Sequence, residues 1–321
     1  MKKITLQQVA DHCRISLAVA SRVINGKPGV ASEIRKRVLA AVETLGYSAG
    51  TGSRKHIAVL YNQVMCFEKD NYSQLLCSEL YNVLTARNYW FYGIHSTEQL
   101  KSYPFFAAVT IRPVQECSTS WGEEFNIPMI TINNPESALE NIYAVTSDEF
   151  DGMEKAVAYL YNKGHRRIGL MLFEVNDWSS AKRLNGYCQA MRKRLLPEET
   201  FLQIIPSEAP YYESLGKLIH AGITALIAPG EGVGQKIVRT LTLYKHRIPE
   251  DISLLSWEVP GMSKEWQPPL TTLCQDFCGL AEGVADILDA LADRKSPPAV
   301  LRVPYLFHER ESIGAPRESK F

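Results

Sequence analysis

Residues 5–25 read TLQQVADHCRISLAVASRVIN, two short helical patterns meeting at a tight turn. Thr5 stands where an N-cap belongs, and Gln8 follows three residues later, the spacing of a capping box. Leu6, Val9, Ala10 and Cys13 form one apolar stripe at helical period. Arg14 and Ile15 make the turn, and Ser16 caps a second helix from Leu17 to about Asn25. Val19, Ala20, Val23 and Ile24 then face inward, leaving Leu17, Ala18, Ser21 and Arg22 outside near its start. In a helix-turn-helix, that end enters the major groove of DNA. An arginine there can grip guanine O6 and N7 or a phosphate, and Leu17 and Ala18 suit thymine methyls. A third helix follows in SEIRKRVLAAVETLGY, residues 32–47, capped by Ser32 and closed by Gly46. Ile34, Val38, Val42 and Leu45 make its apolar face.

An ordinary helical hairpin explains this periodicity equally well. Charge separates the two readings. Residues 1–55 hold ten Lys and Arg against three Asp and Glu, a local charge of +7, while the whole chain balances 35 basic against 35 acidic residues. A basic head on an acidic body fits attraction to phosphates at one end only.

The 321 residues leave room for a small domain plus one or two larger ones. The seven cysteines are scattered and odd in number, and Cys274-x3-Cys278 lacks a second pair at zinc spacing. That usage points to reduced thiols in the cytoplasm, with no metal and no cofactor. No apolar signal core and no run of 18 apolar residues occurs, so neither export nor a membrane is expected.

After a Gly/Ser-rich basic linker at residues 48–56, SAGTGSRKH, strand and helix patterns alternate. HIAVLYN, YWFYGIH, FFAAVTI, PMITIN, RRIGLMLF, TALIAP and ISLLSW read as strands. NYSQLLCSELYNVLTARN, a stretch from about Gly152 to Asn162, AKRLNGYCQAMRKRL, GVGQKIVRTLTLYK and LAEGVADILDALAD read as helices. Such alternation implies doubly wound parallel sheets with helices on both faces. The length exceeds one compact sheet, so two lobes with a cleft are expected.

The head, TLQQVADHCRISLAVASRVINGKPGVASEIRKRVLAAVETLGY, resembles the headpiece of the LacI/GalR family of bacterial transcription factors. The likeness continues through VTSDEFDGMEKAVAYLYNKGHRRIGLM (145–171), RLNGY (183–187), IPEDISLLSWE (248–258), PPLTTLCQDF (268–277) and PYLFHERES (304–312). It implies a headpiece at 1–47, a linker at 48–56 and a two-lobed periplasmic-binding-protein-like body at 57–321. The lobes would span about 57–162 with 277–304, and 163–276 with 305–321. By resemblance, Leu17, Ala18 and Arg22 read bases. Thr5, Leu6, Ser16, Ser21, Asn25 and Ser32 complete the DNA contacts, with Arg54 reaching phosphates or the minor groove. Asp151, Ser179, Arg183, Trp257, Glu258 and Gln275 fall on effector-contact positions.

Several departures from the family pattern bear on mechanism. Arg14 holds a turn position usually given to Gly; a positive φ there costs on the order of 1 kcal/mol, which a phosphate contact would offset. Val19-Ala20 replaces the usual Thr-Val. Pro229-Gly230 replaces Asn-Asp after TALIA and offers no side-chain hydrogen bond. Ser256-Trp257-Glu258-Val259 replaces Gly-Phe/Tyr-Asp-Asp. Arg183 is either a ligand clamp or an inter-lobe ion pair; Trp257 is either a sugar-stacking face or core. The linker lacks the hinge helix that would wedge a Leu into the minor groove. Residues 92–105 are too short for the strand, loop and long helix expected there.

Together these features predict a DNA-binding transcriptional regulator, a homodimer on operator DNA, with repression as the default and a carbohydrate-like effector in the cleft. The alternative is a regulator whose body serves only dimerisation or a protein partner. An enzyme is not expected: no P-loop, G-x-S-x-G, zinc spacing or carboxylate pair occurs. PGEGVGQK (229–236) lacks P-loop spacing and reads as a loop opening a helix. By resemblance, His165 and His308 hold structural positions.

Overall fold

The computed structural model describes residues 4–24, 29–45, 47, 55–60, 71–101, 103–111, 121, 125, 127–134, 141–173, 178–205, 210–230, 232–258, 260 and 263–317. Asn25, Gly46 and the linker residue Arg54 therefore lie outside the described residues. By compactness the chain divides into two units, one of residues 1–65, 81–131 and 138–142, the other of 66–80, 132–137 and 143–321.

Three helices lead the chain: α1 (Leu6–His12), α2 (Leu17–Ile24) and α3 (Ser32–Leu45). The capping box forms on α1. Gln8 N–H donates to Thr5 Oγ1 at 3.4 Å, and Thr5 N–H donates to Gln8 Oε1 at 2.8 Å. Ser16 Oγ accepts from Val19 N–H at 3.3 Å at the head of α2. Val9, Cys13, Val23, Val38 and Ala41 form the core of this bundle. Ala10 and Ala20 are also fully buried, small enough for close helix approach. Val19 is only half-buried. Ala41 takes a core place one residue short of the Val42 that the periodicity favoured.

The strands are β1 (Lys55–Leu60), β2 (Tyr89–Ile94), β3 (Ala107–Thr110), β4 (Met129–Ile132), β5 (Ile142–Ser147), β6 (Ile168–Phe173), β7 (Leu202–Ile205), β8 (Ala225–Ala228), β9 (Ser253–Glu258), β10 (Thr271–Cys274), β11 (Val300–Val303) and β12 (Leu306–His308). Between them run α4 (Asn71–Ala86), α5 (Glu98–Lys101), α6 (Glu149–Asn162), α7 (Trp178–Lys193), α8 (Tyr211–His220), α9 (Val233–Leu243) and α10 (Phe277–Ala292). They form two six-stranded sheets, ordered β11-β5-β4-β3-β1-β2 and β12-β10-β9-β8-β6-β7. Pairing is parallel at β1–β2 (Ile57 opposite Phe91), β1–β3 (Ile57 opposite Ala107) and β8–β9 (Ala225 opposite Ser253). Every residue of β3, β4, β8 and β9 is buried, as expected of parallel sheets covered on both faces. The edge strand β12 is antiparallel to β10, with Phe307 opposite Leu273. The chain enters β12 directly from β11 through Pro304 and Tyr305, with no helix between.

Several local details differ from the sequence expectation. The helix expected from Gly152 begins at Glu149, because Asp148 is its N-cap and accepts from Asp151 N–H at 3.1 Å. The short stretch after Tyr92 keeps one helical turn, α5. The alternation missed β5, β7, β10, β11 and β12, all but β5 only three or four residues long, and α8, which follows Pro210 without a side-chain cap.

Candidate DNA-reading surface and effector site

The capped bundle fixes which face of α2 meets solvent. Ala20 and Val23 are fully buried, so residues a half-turn away point outward. Leu17 is 45% exposed. Ala18 and Arg22 are exposed beside it, with Thr5, Ser16 and Ser32 also exposed and Leu6 and Ser21 half-buried. Exposed apolar and cationic side chains on the outward face of a helix suit base-edge readout. Arg14 has a φ of +50°, the left-handed backbone that its place in the turn predicted.

The body treats its polar residues differently. Ser179 and Arg183 lie one turn apart on α7, facing the first residue of α6. Arg183 Nε donates to Glu149 Oε2 at 2.7 Å and Nη2 donates to Oε1 at 3.0 Å. Ser179 Oγ donates to the same Oε1 at 2.9 Å. The arginine and glutamate side chains are only 13% and 2% exposed. Burial alone would lower the arginine's proton affinity, but the Glu149 charge outweighs it and drives it up. Gly186 makes the arrangement possible: a Cβ there would stand 2.8 Å from the Phe150 carbonyl oxygen, so only glycine lets α7 come this close to α6. The guanidinium also lies 5.5 Å from the Trp257 ring centroid. Trp257 is 4% exposed and meets Tyr305 edge-to-face at 5.9 Å, inside the core cluster that backs α6 and α7.

Glu258 is equally engaged. Its Oε1 accepts from Arg310 Nη2 at 2.7 Å and bonds His308 Nδ1 at 2.6 Å, while Oε2 accepts from Ser263 N–H at 3.0 Å. Burial opposes its ionisation, but the hydrogen bonds from Arg310 and His308 prevail and hold the carboxyl at about 2. The Cys274 thiol stands nearby, pushed up to about 12 by burial and then by the Glu258 charge. Glu258, Cys274 and His308 bring three potential metal-ligand atoms within 4.8 Å of one another. Because Arg310 sits on the carboxylate, the cluster is a closed ion-pair network.

Gln275 and Asp151 belong to other networks. Gln275 Oε1 accepts from Asn133 Nδ2 at 2.7 Å; Asn133 also donates to the Tyr72 hydroxyl at 2.7 Å and accepts from Ser147 N–H at 2.7 Å. Asp151 pairs with Lys155 one turn along α6 at 2.7 Å, both half-exposed. The structure thus gathers Ser179 and Arg183 on Glu149, with Trp257 beside the guanidinium, and holds Glu258, Gln275 and Asp151 in separate polar networks. After β8, Pro229 leads to Gly230 at a φ of +129°, where a Cβ would meet Val233 Cγ2 at 2.8 Å. Beside the Glu149–Arg183 pair opens a cavity of about 270 Å³, lined in part by Asp148, Glu149, Lys182 and Arg302.

Sequence reasoning missed Glu149 and Asn133. Asp148 followed three residues later by Asp151 carried the cap signal that would have put Glu149 at a helix start. Asn133 lies just past the carboxyl end of β4, where open α/β sheets gather polar contacts.

An exposed, capped helix-turn-helix ahead of two parallel α/β sheets defines a DNA-binding regulator with a binding-protein-like body. Residues 5–49 match the profile of bacterial regulatory proteins of the lacI family, and residues 157–313 that of the periplasmic binding protein-like domain. The HTH-type transcriptional repressor PurR of Escherichia coli O1:K1 / APEC is 24% identical over 334 residues, 97% of each chain. The lac repressor dimer bound to operator and the anti-inducer ONPF superposes with a TM-score of 0.69 at 19% identity, over 98% of this chain and all of that one. A LacI family transcriptional regulator from Enterococcus faecium with bound ribose gives 0.65 at 20% identity, over 82% of this chain and all of that one. Residues 5–49 thus carry a DNA-binding domain of the lacI family joined to a periplasmic binding protein-like domain, the make-up of a DNA-binding transcriptional regulator, and these relatives are regulators rather than enzymes. Among its described residues no helix is long and apolar enough to cross a membrane.

Proposed function

We propose that this chain is a cytoplasmic repressor that acts as a homodimer, setting two headpieces on a pseudo-palindromic operator. The outward face of α2, with Leu17, Ala18 and Arg22 clear of the bundle core, carries this reading. Thr5, Leu6, Ser16, Ser21, Asn25, Ser32 and Arg54 would position the duplex. A relative that represses and a family structure that holds operator as a dimer support it. Selecting duplexes from a random library with the full-length protein should return one two-fold-related sequence, bound far more weakly at 200 than at 50 mM salt. Retention that does not change with salt would overturn the electrostatic basis of the reading.

A small carbohydrate-like effector completes this proposal, held in a cleft between two lobes by some of Asp151, Ser179, Arg183, Trp257, Glu258 and Gln275. The ribose-bound relative supports it. Such an effector would have to win Arg183 from Glu149, and only its preference for one body conformation would alter operator affinity. A second reading is favoured by the occupied fork itself: with Arg183 and Glu258 both paired internally, the body is a dimerisation or partner platform without small-molecule response. Calorimetry against sugars, sugar phosphates and nucleosides separates the two. A specific heat abolished by Arg183→Lys, a variant that keeps a cation beside Glu149, rejects the platform reading; silence across the panel rejects the effector.

A further inference from the structure

We propose that Arg14 is a DNA-positioning residue whose guanidinium contacts a backbone phosphate beside the N-terminus of α2. The inference rests on the DNA reading above. Arg14 holds left-handed backbone, a region that penalises any residue with a Cβ and costs glycine least. The conformation closes α1: Arg14 N–H donates to the Asp11 carbonyl and Ile15 N–H to the Ala10 carbonyl, each at 3.0 Å. Glycine would close the helix at lower cost. The same device recurs at Leu195, Lys245 and Arg294, with φ of 55°, 59° and 59° past α7, α9 and α10. A cation also gains from the dipole at a helix C-terminus. Conformation alone therefore does not set Arg14 apart.

Its position does. Arg14 is exposed, two residues ahead of the cap Ser16 and three ahead of Leu17, the first outward residue of α2. The acid one turn before it, Asp11, spends its carboxylate on Gln7 Nε2 at 2.8 Å. Among the described residues the Arg14 guanidinium has no hydrogen bond and no ion pair. A helix end entering the major groove passes between phosphates, and an arginine fork matches phosphate oxygens. The charge at Arg14 is thus unspent where a phosphate would take it.

Two variants of the full chain separate this role from a helix-end role. Arg14→Gly relieves the backbone and removes the charge; Arg14→Gln removes the charge and keeps the backbone cost. Binding is measured to a duplex selected from a random library by the wild-type protein. Both variants should bind more weakly and show a log-affinity against log-salt slope shallower by about 0.9 per protomer. The affinity drop between 50 and 200 mM salt then shrinks by about 3.5-fold for each phosphate no longer neutralised. Arg14→Gly alone should raise the melting temperature of the headpiece. A wild-type slope in both variants overturns the proposal and leaves Arg14 a helix-end charge, while Arg22→Ala still weakens binding. If the wild-type protein selects no duplex, the DNA reading and this proposal fall together.

Discussion

The headpiece and the body use their polar side chains in opposite ways. On α2, Leu17, Ala18 and Arg22 stand in solvent on a small bundle held by caps and a compact apolar core. In the body, Arg183 and Glu258 are buried and matched internally, by Glu149 in one case and by Arg310 with His308 in the other. The difference follows from desolvation. A charge at the surface keeps its contact with water, whereas a buried charge must be compensated where it lies. The headpiece therefore presents the face of α2 to solvent. In the body, any ligand at Arg183 or Glu258 would have to compete with Glu149, Arg310 and His308.

The sharpest way to break this comparison is Glu149→Ala. It strands the buried Arg183 guanidinium and should cost 3–5 kcal/mol, roughly the value for breaking a buried pair. Urea unfolding followed by tryptophan fluorescence reads it. A loss under about 1 kcal/mol would mean the pair is ornamental and the fork open to ligands.

Acid probes the second network. The Glu258 carboxyl is held at about 2 against an ordinary value of 4.5. A depressed carboxyl stabilises the folded chain above its unfolded value, so the contribution is complete above about pH 4.5. It is lost as pH falls toward 2, on the order of 3 kcal/mol in all. Glu258→Gln should flatten the stability profile across that window; an unchanged acid limb would show that Glu258 is not held there.

Arg22→Ala should leave melting unchanged and weaken operator affinity by about 1–3 kcal/mol for each base that the guanidinium reads, measured by fluorescence anisotropy. Melting that falls along with affinity would make Arg22 part of the bundle and erase the contrast. Thr5→Ala should cost the headpiece about 1 kcal/mol, since one cap bond of the box goes. Asp151→Asn should cost less than about 0.5 kcal/mol, because its pair with Lys155 is half-exposed on both sides.

How far the sequence could be read follows the distance over which each feature is determined. Thr5 with Gln8, Ser16 with Val19, and the left-handed Arg14 are fixed by neighbours within four residues, and all were legible. The alternation of strands and helices gave the sheet class because apolar runs such as ALIA and MITI leave no polar face. What pairs with Arg183 was not legible. Glu149 lies 34 residues away, and its helix starts earlier than the glycine at 152 suggested. Arg310 reaches Glu258 across 52 residues. Nothing periodic marks such partners; only the folded backbone brings them within hydrogen-bond reach. Family likeness therefore pointed to Ser179, Arg183 and Glu258, and left open what each of them holds.

The bare α-carbon at Gly186 gives this contrast a structural handle. One methyl group there meets a carbonyl oxygen and the Met153 Cβ, so even the smallest addition forces the packing of the two helices to shift. The spacing of these two helices, and with it the Glu149–Arg183 pair, thus hangs on a residue that belongs to neither partner of the pair.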